Sequence, residues 1–188
     1  MKKLFIICLG LILYTQSYSQ VTMTKSEGSS VTTKLGYGII VNKGSTLKRE
    51  KIVLNDSNCP VQLNDVGIET VYSDKYSFNP TGNFTSKEPV VAVEVVHILY
   101  DVFGEHMKTL SNIIITDMEG VQELAKSGSW YASENNVSSY FVCVSYVANV
   151  RSKAGQLWHY DFKAIKDELL KLKMEFNEAY LPKKDIEK

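Results

Sequence analysis

The segment 90–101 constrains this chain most. It reads Val-Val-Ala-Val-Glu-Val-Val-His-Ile-Leu-Tyr-Asp and is entered from Pro89. Its β-branched and aromatic side chains suit a pleated strand better than a helix. Two-residue alternation sets Val91, Val93, Val95 and Leu99 on one face and Ala92, Val96, Ile98 and Tyr100 on the other. A strand that is apolar on both faces belongs at the centre of a structure, covered from both sides.

The segment ends in a turn signal. Asp101-Val-Phe-Gly-Glu105 reads as a hairpin loop with a type I turn over Val102 and Phe103, and Gly104 in the left-handed position. The Asp101 carboxylate is placed to accept the turn's own amides. The returning strand, 105–110, then sets His106 opposite Tyr100. Further short strands are expected at 51–54, 61–72, 76–78, 113–116, 129–132, 140–150 and 156–160. Asn55 to Pro60, Asn79-Pro-Thr-Gly82 and Ser152-Lys-Ala-Gly155 supply turns between them. Strands at this spacing predict a mostly β domain over 47–160, an antiparallel β-sandwich.

After residue 160 the period changes. Asp161 is a good N-cap, and Ile165, Leu169, Leu172 and Phe176 recur at helical spacing with Lys and Glu opposite. A C-terminal amphipathic α-helix over 161–178 is predicted to pack on the sandwich, followed by a charged tail, 179–188. Residues 20–46 are rich in Ser, Thr and Gly and read as a polar arm. Their apolar island at 35–41 could add an edge strand.

Residues 1–19 have the three parts of a secretory signal. These are Lys2 and Lys3, an apolar run over 4–14 too short to span a ~30 Å bilayer, and Ser17-Tyr-Ser19 before Gln20. The expectation is therefore an exported protein, periplasmic or secreted, with no membrane span once the signal is removed. The whole chain has 21 basic and 21 acidic residues; losing Lys2 and Lys3 leaves 19 against 21. A near-neutral chain lacks the basic field that nucleic acid requires. Cleavage also discards Cys8 and leaves Cys59 and Cys143. In an oxidising compartment this pair suits a disulfide; two buried free thiols are the other reading.

The phrase His97-Ile-Leu-Tyr-Asp101, with Gly104 after it, resembles the FxLYD domain of exported bacterial proteins. In that domain a strand ends in a Leu-Tyr-Asp turn followed by Gly. Leu99, Tyr100, Asp101 and Gly104 match, and His97 stands where the family name has Phe. About fifteen residues carry the likeness. It implies an immunoglobulin-like sandwich, with Tyr100, Asp101 and Gly104 as a structural turn, and it implies no activity.

No nucleophile elbow, phosphate-binding loop, dinucleotide fingerprint or calcium loop occurs, so no catalytic residue, cofactor or metal is assigned. His97, Asp101, Glu105 and His106 flank one hairpin. Four strand residues separate His97 from Asp101 by roughly 13 Å, too far for one ion. The aromatics of the late strands are the better lead. Trp130, Tyr131, Trp158 and Tyr160 could present rings to an envelope protein or a glycan, or fill the core. The favoured reading is a non-enzymatic binding or interaction module of the cell envelope. The alternative is an exported hydrolase or metal-binding protein using the His and carboxylate groups near 97–106. Oligomeric state is left open.

Overall fold

The computed structural model describes residues 20–31, 47–124 and 128–181. The signal segment, the apolar island at 35–41 and most of the charged tail lie outside the described residues. The chain is mostly β: β1 (Val21–Val31), β2 (Leu47–Asp56), β3 (Val61–Tyr72), β4 (Tyr76–Tyr100), β5 (His106–Glu123), β6 (Trp130–Tyr131), β7 (Val142–Ser152) and β8 (Leu157–His159). Among the described residues two helices, α1 (Glu134–Ser139) and α2 (Phe162–Lys171), and a 3-10 turn at Glu178–Tyr180 accompany them.

β4 is the spine. Along one edge it pairs first with β3 (Tyr72 opposite Tyr76, Val61 opposite Ser86) and then with β7 (Val90 opposite Ser152, Tyr100 opposite Val142). Along the other edge it pairs with β6 and β5. Beyond β7 the sheet continues to β2 and β1. The β2–β7 pairing is parallel, Glu50 opposite Val142 through Leu54 opposite Tyr146. The expectation of an antiparallel arrangement therefore needs correction: the sheet is mixed and curls on itself. β2 returns to β3 through side chains. The Asn55 amide both donates to Leu63 O (3.0 Å) and accepts from Leu63 N (2.8 Å). Lys51 Nζ lies 2.7 Å from the Asp65 carboxylate.

The two faces of 90–101 are both buried, as alternation requires. Val93 and Val95 join Val53, Val61, Leu63, Phe84 and Val147 in a cluster inside the curl. Val96, Ile98 and Tyr100 point the other way, beneath α2, with Ile52, Leu54, Val144 and Tyr146. A register shift between Val90 and Ala92 gives Val90 the inward place expected of Val91. A third cluster, Ile68, Phe78, Leu99, Leu110, Tyr140 and Cys143, fills the end near α1.

Several boundaries differ from expectation. Asn79-Pro-Thr-Gly82 does not end a strand, because β4 runs straight through it. Pro80 lies where β4 has a partner strand, β3, on one side only among the described residues, so its missing N–H costs little. Gly82 absorbs the irregularity opposite the shift between Asn64 and Gly67 with φ +89; a Cβ there would meet Asp65 O at 2.5 Å. The arm 20–46 is not wholly loose, since its first part is β1, paired antiparallel to β2. The strands expected at 105–110 and 113–116 are, from His106 onward, one strand, β5.

Asp161 caps α2 as expected, accepting from Lys163 N at 2.9 Å, and Ile165 and Leu169 are buried. The helix stops at Lys171 instead of 178. Lys173 takes a left-handed conformation, φ +59, and the chain turns toward the hairpin, where Glu175 N donates to Gly104 O at 2.8 Å. Phe176 still packs on the cluster beneath α2, but from the chain beyond the helix.

Tyr146 and Tyr160 meet edge-on beneath α2, ring centroids 5.3 Å apart, and both hydroxyls are buried without a hydrogen-bond partner. An unpartnered buried hydroxyl costs stability, and removing it returns the cost. Tyr146→Phe and Tyr160→Phe are expected to leave urea stability unchanged or raise it by up to about 1 kcal/mol. A loss above about 1 kcal/mol in either variant would mean that a bound water satisfies the hydroxyl.

Candidate functional site

A cleft of about 400 Å3 opens at the end of the fold where the β2–β3 turn meets the β7–β8 hairpin. This volume is within the range of small-ligand pockets. The first wall is built by Asp56: its carboxylate accepts from Asn58 N (2.8 Å) and its carbonyl from Cys59 N (3.0 Å). These bonds fold Ser57 to Pro60 into the tight turn expected from the Asn55–Pro60 cluster. Lys87 N donates to Pro60 O at 2.8 Å and holds the start of the second wall, Lys87 and Glu88, against it.

The opposite wall is the β7–β8 hairpin. Ser152 N donates to Gln156 O (2.9 Å), Gln156 N donates back to Ser152 Oγ (3.0 Å), and Gly155 turns the chain with φ +86. Trp158 then pairs with Val150, and Leu157 with Arg151. Trp158 is half-buried. It packs on the inner cluster and on the one beneath α2, and it stands edge-on to Tyr160 at 5.8 Å. Leu157 is 56% exposed at the rim. The cleft thus offers one indole, a short apolar rim, and convergent amide, hydroxyl, ammonium and carboxylate groups.

The four predicted aromatic binding residues do not form one platform. Trp158 lines the cleft, and Tyr160 lies beneath it as core, 2% exposed. Trp130 and Tyr131 sit at another place, on β6 opposite Phe78 and Ser77. Trp130 packs inward on the third cluster, edge-on to His97 at 6.1 Å. Tyr131 is 79% exposed, with Lys75 Nζ 5.4 Å above its ring.

The predicted structural turn is present in detail. Asp101 Oδ1 accepts from Phe103 N (2.8 Å) and Glu105 N (2.9 Å), Gly104 has φ +82, and Tyr100 is buried opposite His106. A Cβ at Gly104 would meet Lys173 O at 2.9 Å, so this glycine also lets the hairpin dock on the chain leaving α2.

The histidines do not converge. His97 is fully buried with Nδ1 2.9 Å from Ser145 Oγ, and burial pushes its pKa down to about 3. His106 bonds Thr109 Oγ1 at 3.0 Å beside the hairpin. His159 bonds Asn149 Oδ1 at 2.5 Å on β8. Among the described residues, no group of three or more His, Cys, Asp or Glu is placed to hold a metal ion. Among the described residues, too, no helix is long and apolar enough to cross a membrane.

Cys59 and Cys143 are both buried free thiols, which corrects the disulfide reading. They belong to different clusters, Cys59 inside the curl and Cys143 at the end near α1. Burial pushes both thiols up to about 12, away from the reactive thiolate. Neither is expected to react with iodoacetamide at pH 8 in the folded protein. Both are expected to react in guanidinium without reductant, and persistent protection there would mean a disulfide.

Sequence reasoning placed Trp158 but missed its partners Lys87, Glu88, Asn58 and Gln156. They come from two separate turns and from the middle of β4 and have no shared spacing to read. No protein-family model, curated protein or solved structure matches this chain.

Proposed function

We propose that this chain is an exported binding module of the cell envelope that holds a protein or glycan partner at the cleft beside Trp158. The observation that carries this reading is the cleft itself, in which a half-buried indole stands among polar groups from two turns and from β4. An aromatic wall gives contact area at small entropic cost, and polar groups around it give orientation. Export is supported by the leader pattern of residues 1–19. The Leu99-Tyr100-Asp101 turn with Gly104 and a sheet folded over an inner core support an immunoglobulin-like origin. The parallel β2–β7 pair is an addition such an origin must accommodate.

A cross-linked pull-down from envelope extract, alongside a glycan array, tests the reading. Trp158→Ala is expected to weaken capture at least tenfold. Leu157→Lys, which changes the exposed rim and leaves the core intact, is expected to do the same, while Tyr131→Ala leaves capture unchanged. Equal capture by wild type and by Leu157→Lys would place the binding surface elsewhere.

A further inference from the structure

β8 borders the cleft and, among the described residues, pairs with β7 alone. Two bonds fix the direction of its backbone groups. Ser152 N donates to Gln156 O at 2.9 Å and Tyr160 N donates to Ala148 O at 3.0 Å, so residues 156, 158 and 160 turn their backbone toward β7. Alternation turns the N–H and C=O of Leu157 and His159 the other way. Among the described residues these backbone groups have no hydrogen-bond partner, and both residues are exposed. Short edge strands are commonly left unpaired. This one differs in its surroundings, because Leu157 and Trp158 also line the cleft. Arg151, opposite Leu157, is exposed and has no ion pair among the described residues.

We infer that the occupant of the cleft is an extended peptide that adds to the outer edge of β8 as an antiparallel strand; this rests on the cleft being the binding site. Backbone complementarity selects the occupant. Leu157 and His159 offer two donor–acceptor pairs one strand repeat apart, about 7 Å, and an incoming strand presents its own pairs at the same repeat. Sugar hydroxyls have no such period. Antiparallel addition lets one peptide residue exchange both bonds with Leu157 and another with His159. Residues directly opposite in a ladder share a face. The peptide residue opposite Trp158 therefore points to the Trp158 face, where Cys59, Pro60 and Val150 contribute apolar lining and a large apolar side chain fits. Its neighbour opposite Leu157 shares the face of Leu157 and Arg151, where a carboxylate would meet the guanidinium. The partner is an extended segment with Asp or Glu beside a large apolar residue, and without proline at the bonded positions.

A random peptide library displayed on phage, selected against the purified chain, supplies the probe. Selected peptides are expected to protect the Leu157 and His159 amides from hydrogen exchange and to carry an acidic residue beside a large apolar one. His159→Pro removes an outward N–H that β7 does not use, and is expected to weaken these peptides at least tenfold. His159→Ala keeps that N–H and is expected to bind as wild type does, and the two variants should melt alike. Arg151→Glu is expected to weaken the acidic peptides at least tenfold. Peptides that bind His159→Pro as well as wild type, or leave both amides exchanging freely, would overturn strand addition; the cleft reading survives if Trp158→Ala still releases them. Glycan binding with no peptide selected would also overturn it and leave the cleft reading standing. Neither peptide nor glycan binding would sink both.

Discussion

Arg49→Met is expected to destabilise this protein by about 3 kcal/mol or more, among the largest single-residue losses the fold can show. Arg49 is 4% exposed, and among the described residues none of its hydrogen bonds goes to a carboxylate. Its guanidinium is spread over neutral acceptors instead. Nε donates to Tyr140 O (3.0 Å), Nη2 to Val137 O (2.6 Å), and Nη1 to Ser29 Oγ (2.9 Å) and Thr70 Oγ1 (3.0 Å). The Tyr140 ring lies 4.7 Å from its central carbon and adds a cation–π contact. One side chain thereby ties β1, β3 and the segment through α1 to β2. Methionine fills the volume but strips these acceptors, and orphaning a buried acceptor costs about 1–3 kcal/mol. Arg49→Lys keeps a charge yet cannot span four directions from one ammonium. It is expected to fall between wild type and methionine. Urea titration of the three proteins decides it, and a methionine variant within about 0.5 kcal/mol of wild type would refute the account.

The second large effect is a loss of stability in acid carried by His97. Its folded-state pKa of about 3 lies below the ordinary value of 6.5, because burial without a counter-charge disfavours the imidazolium. Above pH 6.5 both folded and unfolded forms are neutral at this residue, and it imposes no pH dependence. Between pH 6.5 and 3 the unfolded chain takes up a proton that the folded chain refuses. Stability therefore falls as pH falls, by up to about 1.4 kcal/mol per pH unit. Below pH 3 the slope disappears. His106 is also held below its usual range, by burial opposed by Glu175, and contributes with the same sign. Comparing wild type with His97→Gln cancels that contribution. The difference in stability between the two is expected to shift by about 2–3 kcal/mol from pH 6 to pH 4. A difference that is flat with pH would show that His97 protonates equally in both states.

The legible parts of this fold are those coded by nearest neighbours. Alternation in 90–101 set both faces of β4, and Asp101 with Gly104 set the hairpin that follows. Asp161 marked where α2 begins. Asn79-Pro-Thr-Gly82 misled, because its turn chemistry is spent on a strand irregularity that β3 holds in place. The end of α2 misled for a related reason. The apolar spacing continues to Phe176, but docking on the hairpin at Gly104 turns the chain at Lys173. α1 went unread, although Ser133 caps it by accepting from Asn136 N. Of the candidate site, only Trp158 could be singled out, since rings announce themselves by type.

The sequence by itself determined that this chain builds a β-rich body with a helix at its end, where its tightest turn falls, and which faces of its central strand are buried. Those properties follow from side-chain period and turn chemistry, which act over a few residues. Only the tertiary structure decided that β2 runs parallel to β7, that Cys59 and Cys143 lie in separate clusters, and that Trp158 meets Lys87 and Asn58 across a cleft. Each of these depends on which strand edges find one another. Backbone N–H and C=O groups are the same in every strand, so the choice of edge is made by the fit of the whole core and not by any local run of residues.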